Sequence, residues 1–356
     1  MPPTATCMRM ASTPKILGAL MSSPSRWQQT ARRQSPMWRT PLTGKAPLLI
    51  LLGATGVGKT RLAIQLARRL EGEIIGADSR QIYRYMDIGT AKPSPAQQAL
   101  APHHLINMVA PDHNLSLAEY QDAANRVIAD CQRRGKLPML VGGSGQYISA
   151  VEEGWSIPRV PPDANLRAEL ETFAEQHSPV ALHERLRQVD PAAAESIHPN
   201  NIRRVIRALE VQMLTGAPIS QLQIKRPPPW HIFRLGLQLP REILYPRVDA
   251  RVDAMIAAGF VEEVARLLEM GFHRRLPSMS GLGYGELAAH LLDGIALDKA
   301  IERTKFRTHD FIRRQDVWFR GHDNGTVWHN AAQVDVGELA ARLADYFKQA
   351  VDTDDR

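Results

Sequence analysis

Residues 53–60 read Gly-Ala-Thr-Gly-Val-Gly-Lys-Thr, which matches the phosphate-binding pattern G-x-x-x-x-G-K-[ST]. The run lies between a short apolar stretch, 47–52, and a segment with helical spacing of apolar residues, 59–70. The glycines allow successive backbone N–H groups to curve around an anion, and the helix N-terminus contributes its positive end. The motif predicts a bound phosphate chain and does not by itself specify ATP. The predicted phosphate-binding residues are Gly53, Ala54, Thr55, Gly56, Val57, Gly58, Lys59 and Thr60.

Two side chains of this loop also predict a metal ion beside the phosphates. The Lys59 ammonium would meet the phosphate charge, and the Thr60 hydroxyl suits Mg²⁺. We therefore expect Mg²⁺ as the cofactor, with Thr60 as its ligand from the protein.

Alternating strand and helix patterns indicate a parallel α/β sheet. Short apolar stretches at 47–52, 73–75 and 137–141 are typical of buried parallel strands, and helical patterns at 59–70 and 116–131 separate them. The predicted fold class is therefore α/β, with a P-loop NTPase-like parallel sheet as its core. A strand at 234–239 and helices near 242–258, 261–270, 284–292 and 298–320 follow, which makes the C-terminal part helical.

Two groups of prolines interrupt this pattern, the first at Pro158, Pro161 and Pro162 and the second at 227–229. The chain between them has helical periodicity, so we predict a helical insertion. The predicted divisions are a disordered basic N-terminal extension (1–45), a catalytic core (46–156 and 231–330), the insertion (157–230) and a C-terminal tail (331–356).

The net charge of +7 comes from the N-terminal extension, because residues 1–45 contain seven basic residues and no acidic ones. The remainder is balanced, so bulk charge does not indicate that the core binds RNA. The extension has the composition of a transit peptide, and a misassigned start or a disordered tail explains it equally simply. The apolar runs are too short to span a membrane, and two isolated cysteines, Cys7 and Cys131, fit a reducing cytoplasm.

Asp78 follows the second predicted strand, and the turn 142–145 follows the strand at 137–141. Carboxyl ends of parallel strands meet at one edge of a sheet, where ligands bind. Asp78 could therefore serve as a general base or hold Mg²⁺, although a helix-capping role is also common for such a residue. The glycine-rich turn would allow close approach of a ligand, or it could be an ordinary turn.

Two arginine-containing helices offer further candidate sites. Arg247 and Arg251 lie four residues apart, which suits a diphosphate clamp, although a solvated charged face is the more usual meaning of such spacing. Between 303 and 320 basic residues outnumber acidic ones and lie beside Trp318 and Phe319. That combination suits nucleic acid, although a packed helix with exposed arginines would look the same.

These motifs, in this order, closely resemble the tRNA dimethylallyltransferases, and the resemblance extends over about 46–325. The absence of cysteines after Cys131 makes the chain similar to the bacterial type, because eukaryotic members often carry a C-terminal zinc finger. The matching segments after the phosphate loop are 72–83 (GEIIGADSRQIY), 86–93 (MDIGTAKP), 102–105 (PHHL), 135–138 (GKLP), 141–147 (VGGSGQY), 190–191, 198–200, 207–211, 283–284, 313–315 and 318–320.

The resemblance implies that the exocyclic amine of adenosine 37 in tRNA attacks dimethylallyl diphosphate and that diphosphate leaves. It implies that Asp78 accepts the amine proton, that Ser144 supports the amine, and that Lys59 and Arg251 act on the diphosphate. It implies the tRNA anticodon stem-loop as partner, and we expect a cytoplasmic monomer. The residues implied to contact tRNA are Asp78, Ser79, Arg80, Gln81, Ser144, Arg167, Arg203, Arg204, Arg207, Gly283, Tyr284, Arg313, Arg314, Gln315 and Arg320.

Several positions depart from the family pattern. Many members have Thr at the position of Ser144, and Gly76, Ser280–Gly281 and Asp316–Val317 also differ from the usual residues. Three alternatives share parts of the pattern: a small-molecule P-loop kinase, a prenyltransferase acting on free adenine nucleotides, and a non-catalytic RNA-binding protein. The long insertion argues against the first two, and intact Lys59, Thr60 and Asp78 argue against the third.

Overall fold

Six parallel strands form one sheet, whose order is β3-β2-β4-β1-β5-β6. A computed structural model describes residues 45–354 of the chain, with the side chains of residues 350–354 excepted. Every residue of the central strand β1 is buried, because helices cover both faces of the sheet. The strands are β1 (Ala46–Gly53), β2 (Gly72–Ala77), β3 (His103–His104), β4 (Leu137–Gly142), β5 (Trp230–Gln238) and β6 (Val327–Asn330).

The helices of the core connect these strands and follow the last of them. Before the insertion they are α1 (Lys59–Leu70), α2 (Pro95–Leu100), α3 (Leu117–Arg133) and α4 (Gly145–Glu152). The insertion contributes α5 (Ala164–His177), α6 (Pro179–Val189), α7 (Pro191–Ser196), α8 (Ile202–Thr215) and α9 (Ile219–Leu222). The remaining helices are α10 (Arg241–Ala257), α11 (Phe260–Glu269), α12 (Tyr284–Asp293), α13 (Leu297–Gly321) and α14 (Val336–Asp354).

Alternate side chains of β1 enter two hydrophobic clusters, one on each face of the sheet. Leu49 and Leu51 pack with α1, α10 and α14. Leu48 and Ile50 face the other way and pack with α3, α4, α11, α12 and α13. This division follows from the two-residue period of a strand, and it holds the carboxyl ends of the strands at one edge. The prediction of an α/β fold with a parallel P-loop-type sheet is confirmed.

Helices α5 to α9 enclose a third hydrophobic cluster, which includes Leu182, Leu186, Val205 and Leu209. The two ends of this segment meet beside the core. Ser156 donates its backbone N–H to Ile224 at 2.7 Å, and Arg226 donates to Gly154 at 2.9 Å. The segment therefore has its own apolar interior and leaves and rejoins the core at adjacent points.

The segment 331–356 is not simply a tail. Its helix α14 places Leu343 and Phe347 in the same cluster as β1 and α1, so it completes one face of the core. The short strands β3 and β6 were also missed, because neither offers an apolar run. The predicted extension 1–45 lies outside the described residues except for Lys45. Among the described helices, none is both long and apolar enough to cross a membrane.

Candidate active site at the carboxyl edge of the sheet

The phosphate loop joins β1 to α1 and depends on glycine at three left-handed positions. The φ angles of Gly53, Gly56 and Gly58 are 145°, 84° and 104°. Gly53 also has no room for a side chain, because a Cβ at this position would lie 2.3 Å from the Leu237 carbonyl oxygen. A side chain at these positions would therefore distort the curve of backbone N–H groups that suits an anion.

Lys59 begins α1 and reaches back over the loop. Its Nζ donates to the carbonyl oxygens of Gly53 and Ala54, both at 2.9 Å. Desolvation of the ammonium group lowers the pKa of Lys59 to about 8, with Arg251 adding to the effect and Asp78 opposing it. A phosphate chain nearby would raise the pKa of Lys59 again, because its negative charge stabilises the ammonium form. Anion binding and protonation of Lys59 therefore reinforce each other.

A cavity of about 610 Å³ opens in front of this loop. Arg251 enters from α10, and burial lowers its pKa, but an arginine retains its charge. The cavity brings the loop, Asp78, Arg247 and Arg251 together. Its lining comprises Thr55, Gly56, Gly58, Lys59, Thr60, Asp78, Gln81, Thr90, Ala91, Lys92, Gln97, Val141, Gly142, Arg247, Ala250 and Arg251.

Ser144 follows β4 and is hydrogen-bonded to the segment after β2. Its Oγ accepts from the Ser79 N–H at 2.9 Å, and its own N–H donates to the Ala77 carbonyl at 3.1 Å. Asp78 uses Oδ1 to accept from the Arg80 N–H at 2.8 Å. Asp78 therefore stabilises a turn rather than capping a helix, and it also lines the cavity.

Gln315 of α13 is buried, contrary to its predicted role in contacting tRNA. Its Oε1 accepts from the Thr55 N–H at 2.9 Å, and its Nε2 donates to the Gly143 carbonyl at 2.8 Å. The side chain therefore connects the phosphate loop to the turn that precedes Ser144.

Tyr284 is also buried, with 1% of its surface exposed, so its predicted contact with tRNA is corrected. Its hydroxyl donates to Glu263 at 2.7 Å. The Glu263 carboxylate also accepts the backbone N–H groups of residues 87, 88 and 89. Gly283 begins the same helix with a φ of 86° and donates its N–H to Glu286. Tyr284 thus supports the loop 86–92, part of which lines the cavity, and Gly283 caps the start of its own helix.

Six of the eight predicted tRNA-contacting arginines divide into two groups. Arg167 and Arg207 both pair with the fully buried Glu210 carboxylate, at 2.7 Å and 2.6 Å. Burial would raise the pKa of Glu210, but these hydrogen bonds outweigh it and lower the pKa to about 2. The exposed group comprises Arg203, Arg204, Arg314 and Arg320.

Three further predicted contacts have partners within the chain. Arg80 donates to the Pro277 carbonyl at 2.7 Å and to the Ser280 hydroxyl. Gln81 donates to the carbonyl of Thr90 at 3.1 Å, and the Arg313 guanidinium pairs with an acid one helical turn earlier. Of these three side chains, Gln81 lines the cavity, whereas Arg80 and Arg313 are held by partners within the chain.

Lys92 is a cavity residue to which the sequence assigned no chemistry. Its ammonium group donates to the Tyr83 carbonyl at 2.6 Å, to Asp87 at 2.6 Å and to Asn107 at 2.7 Å. Burial lowers its pKa, and Asp87 opposes the shift. The only sequence feature that could have identified Lys92 as a site residue was its position in the matching segment 86–93.

Among the residues that the structure describes, two sets could hold a metal ion. Thr60 and Asp78 both line the cavity with oxygen donors, which is the ligand type that Mg²⁺ prefers. Glu73, His104 and Cys131 also lie close enough together to share an ion. Arg134 already binds both oxygens of Glu73, and burial raises the pKa of Cys131 to about 12. That cluster is therefore better explained as an ion-pair network than as a metal site.

Comparisons with known proteins agree with this geometry. Residues 81–322 match the family model described as IPP transferase. The chain is 53% identical over 306 residues to a tRNA dimethylallyltransferase of Roseiflexus sp. (strain RS-1), covering 86% of this chain and 99% of that protein. It is 55% identical over 281 residues to the Chloroflexus aggregans tRNA dimethylallyltransferase, covering 79% and 95% of the two chains.

Solved structures give the same result. The tRNA isopentenylpyrophosphate transferase from Bacillus halodurans is 36% identical, with a TM-score of 0.64, and the match covers 87% of this chain and 98% of that one. A eukaryotic dimethylallyltransferase solved acting on tRNA is 27% identical, with a TM-score of 0.70, over 85% of this chain and 79% of that one. The phosphate loop, the cavity and these matches together place the chain in the IPP transferase family.

Proposed function

We propose that this protein transfers a dimethylallyl group from dimethylallyl diphosphate to the exocyclic amine of adenosine 37 in tRNA. The observation that carries the proposal is one cavity that combines a phosphate loop and Arg251 with the Asp78 carboxylate. A diphosphate leaving group and an amine that must lose a proton require those two kinds of group. The family relationship supplies the substrate class.

The leaving group is a polyanion whose charge increases as the bond from its oxygen to the first dimethylallyl carbon breaks. The loop N–H groups, Lys59 and Arg251 would stabilise that charge, and the loop carbonyls already hold Lys59 in place. Mg²⁺, which the Thr60 hydroxyl would help to hold, would supply additional positive charge there. Diphosphate would depart with the electron pair of the broken carbon–oxygen bond.

The acceptor amine is a weak nucleophile, because its lone pair is delocalised into the adenine ring. Asp78 would accept its proton as the new carbon–nitrogen bond forms. Ser144 lies next to this segment through its bond to Ser79, so its hydroxyl would support the amine. Holding both reactants in line can contribute up to about 7–11 kcal/mol in the best cases.

A small apolar cavity of about 60 Å³ beside the loop supports a short prenyl donor. It shares Thr55 and Arg251 with the phosphate site, so a chain attached to a bound diphosphate could enter it. Its apolar lining includes Val248, Val252, Met255, Phe260 and Leu282.

The tRNA partner would lie with its anticodon stem-loop against the insertion, where Arg203 and Arg204 are exposed. The target base must leave its stack to reach the cavity, which costs a few kcal/mol. Contacts between arginines and phosphates would offset that cost. We further propose that the protein acts in the cytoplasm as a monomer. Gel filtration would test its monomeric state.

The decisive experiment mixes the protein, Mg²⁺ and radiolabelled dimethylallyl diphosphate with an unmodified tRNA transcript, and with AMP and ATP in separate tubes. We expect label in tRNA alone, and no label in a transcript with guanosine at position 37. Label in AMP or ATP would instead indicate a free-nucleotide prenyltransferase. No label in any tube would contradict the proposal.

A further inference from the structure

We propose that Gln315 is a positioning residue that fixes the distance between the diphosphate loop and the acceptor side of the site. This inference rests on the proposed function and adds a residue that acts on the chemical step without contacting either substrate. It replaces the expectation that Gln315 binds tRNA.

The two hydrogen bonds of Gln315 define its orientation and its chemistry. The Thr55 N–H can only donate and the Gly143 carbonyl can only accept, so Oε1 must face the first and Nε2 the second. A carboxamide of this length satisfies both partners at 2.9 Å and 2.8 Å. A carboxylate would lack the donor, methionine would lack both groups, and asparagine would be one methylene too short.

The backbone around this bridge is shaped to receive it. A Cβ on Gly143 would lie 2.3 Å from Gln315 Nε2 and 3.4 Å from the Gly53 carbonyl oxygen. The turn after β4 and the phosphate loop therefore meet at this point, and only glycine leaves room for the side chain between them.

Each end of the bridge leads directly to reacting groups. Thr55 belongs to the loop that would hold the diphosphate. Gly143 precedes Ser144, whose Oγ accepts from Ser79 next to Asp78. A continuous path of bonds thus links the leaving-group side to the proton-accepting side. Because in-line transfer depends on the separation of these two sides, loosening the bridge should slow the chemical step.

Burial separates this role from tRNA binding. Gln315 is 6% exposed, whereas Arg314, its neighbour on α13, is exposed. A change at Arg314 should therefore act on tRNA affinity, and a change at Gln315 should act on turnover.

The test uses Gln315→Met and, as an independent disruption from the other side, Gly143→Ala. Gln333→Met, at an exposed glutamine, is the matched control, and Arg314→Ala is the tRNA-affinity comparison. For each folded variant we would measure kcat, the KM for dimethylallyl diphosphate and the Kd for tRNA. We expect kcat to fall about 10- to 100-fold in both bridge variants, with the tRNA Kd within about twofold of wild type.

The possible outcomes distinguish the two proposals. Lack of prenyl transfer by the wild-type protein would overturn the proposed function. With an active wild type, an unchanged kcat in the bridge variants would overturn the positioning role. A tRNA Kd raised tenfold or more with kcat retained would return Gln315 to tRNA recognition. If one bridge variant fails to fold, the other still decides between these results.

Discussion

At the scale of single residues, the site depends on groups that have both a structural and a chemical role. Asp78 accepts the Arg80 N–H and also faces the cavity. Lys59 bonds to the loop carbonyls and also adds positive charge beside them. A substitution at either position must therefore preserve the hydrogen bond if it is to report on chemistry alone.

Asp78→Asn meets this requirement, because the amide oxygen can still accept the Arg80 N–H. We expect kcat to fall about 10²- to 10⁴-fold, since the amide cannot accept the amine proton, while the tRNA Kd stays near wild type. Steady-state transfer to tRNA measures kcat, and filter binding measures the Kd. Asp112→Asn, at an exposed aspartate, serves as the control. Turnover unchanged in Asp78→Asn would remove Asp78 from the mechanism.

Lys59 should make diphosphate binding dependent on pH. Its pKa in the free site is about 8, well below its usual value, so the ammonium form that binds anions is lost as the pH rises through 8. Affinity for diphosphate should be full below this pKa and should fall above it, by at most about tenfold per pH unit. Lys59→Arg stays charged, so the ratio of the two proteins' affinities cancels the titration of diphosphate itself. A ratio that does not vary with pH would contradict the shifted pKa.

At the scale of elements, the periodicities predicted most of what the structure contains. The helix at 59–70 and the buried strands β1 and β4 follow directly from apolar spacing and the glycine-rich ends. Long-range pairing could not be predicted in the same way. An arginine in a basic run looks the same whether it faces solvent or, like Arg207, a buried Glu210 from its own helix.

Two arginines of α8 should therefore behave differently in salt-dependent binding. Arg203→Ala removes an exposed charge, and we expect it to reduce the slope of log tRNA affinity against log salt by about one unit. Arg207→Ala instead removes a hydrogen bond to the buried Glu210, so it should lower the free energy of unfolding by about 1–3 kcal/mol. Titrations at several salt concentrations and urea unfolding separate these effects. An unaltered slope in Arg203→Ala would show that Arg203 does not contact a phosphate of the tRNA.

At the scale of the whole molecule, the active site forms where distant parts of the chain meet. The phosphate loop comes from the first strand, Arg251 from α10 and Gln315 from α13. The sequence identified the phosphate loop and Asp78 because their motifs are local. It misassigned Gln315 and Tyr284 because burial depends on the packing of the complete fold. The C-terminal helix α14 was missed for the same reason, because its apolar face packs against α1 and β5, which are distant in the sequence.

Phe347 tests whether α14 is part of the core. It is 1% exposed and packs in the cluster that contains β1 and α1, whereas its neighbour Lys348 is exposed. Phe347→Ala should lower the free energy of unfolding by about 3–5 kcal/mol, because it removes buried surface and leaves a cavity. Lys348→Ala should change it by less than about 0.5 kcal/mol. Guanidinium unfolding of both variants gives the comparison. Equal stability of the two variants would mean that α14 is dispensable for the core. The expected difference would instead show that the last 19 residues of the described chain, helix α14, form part of the packing around α1.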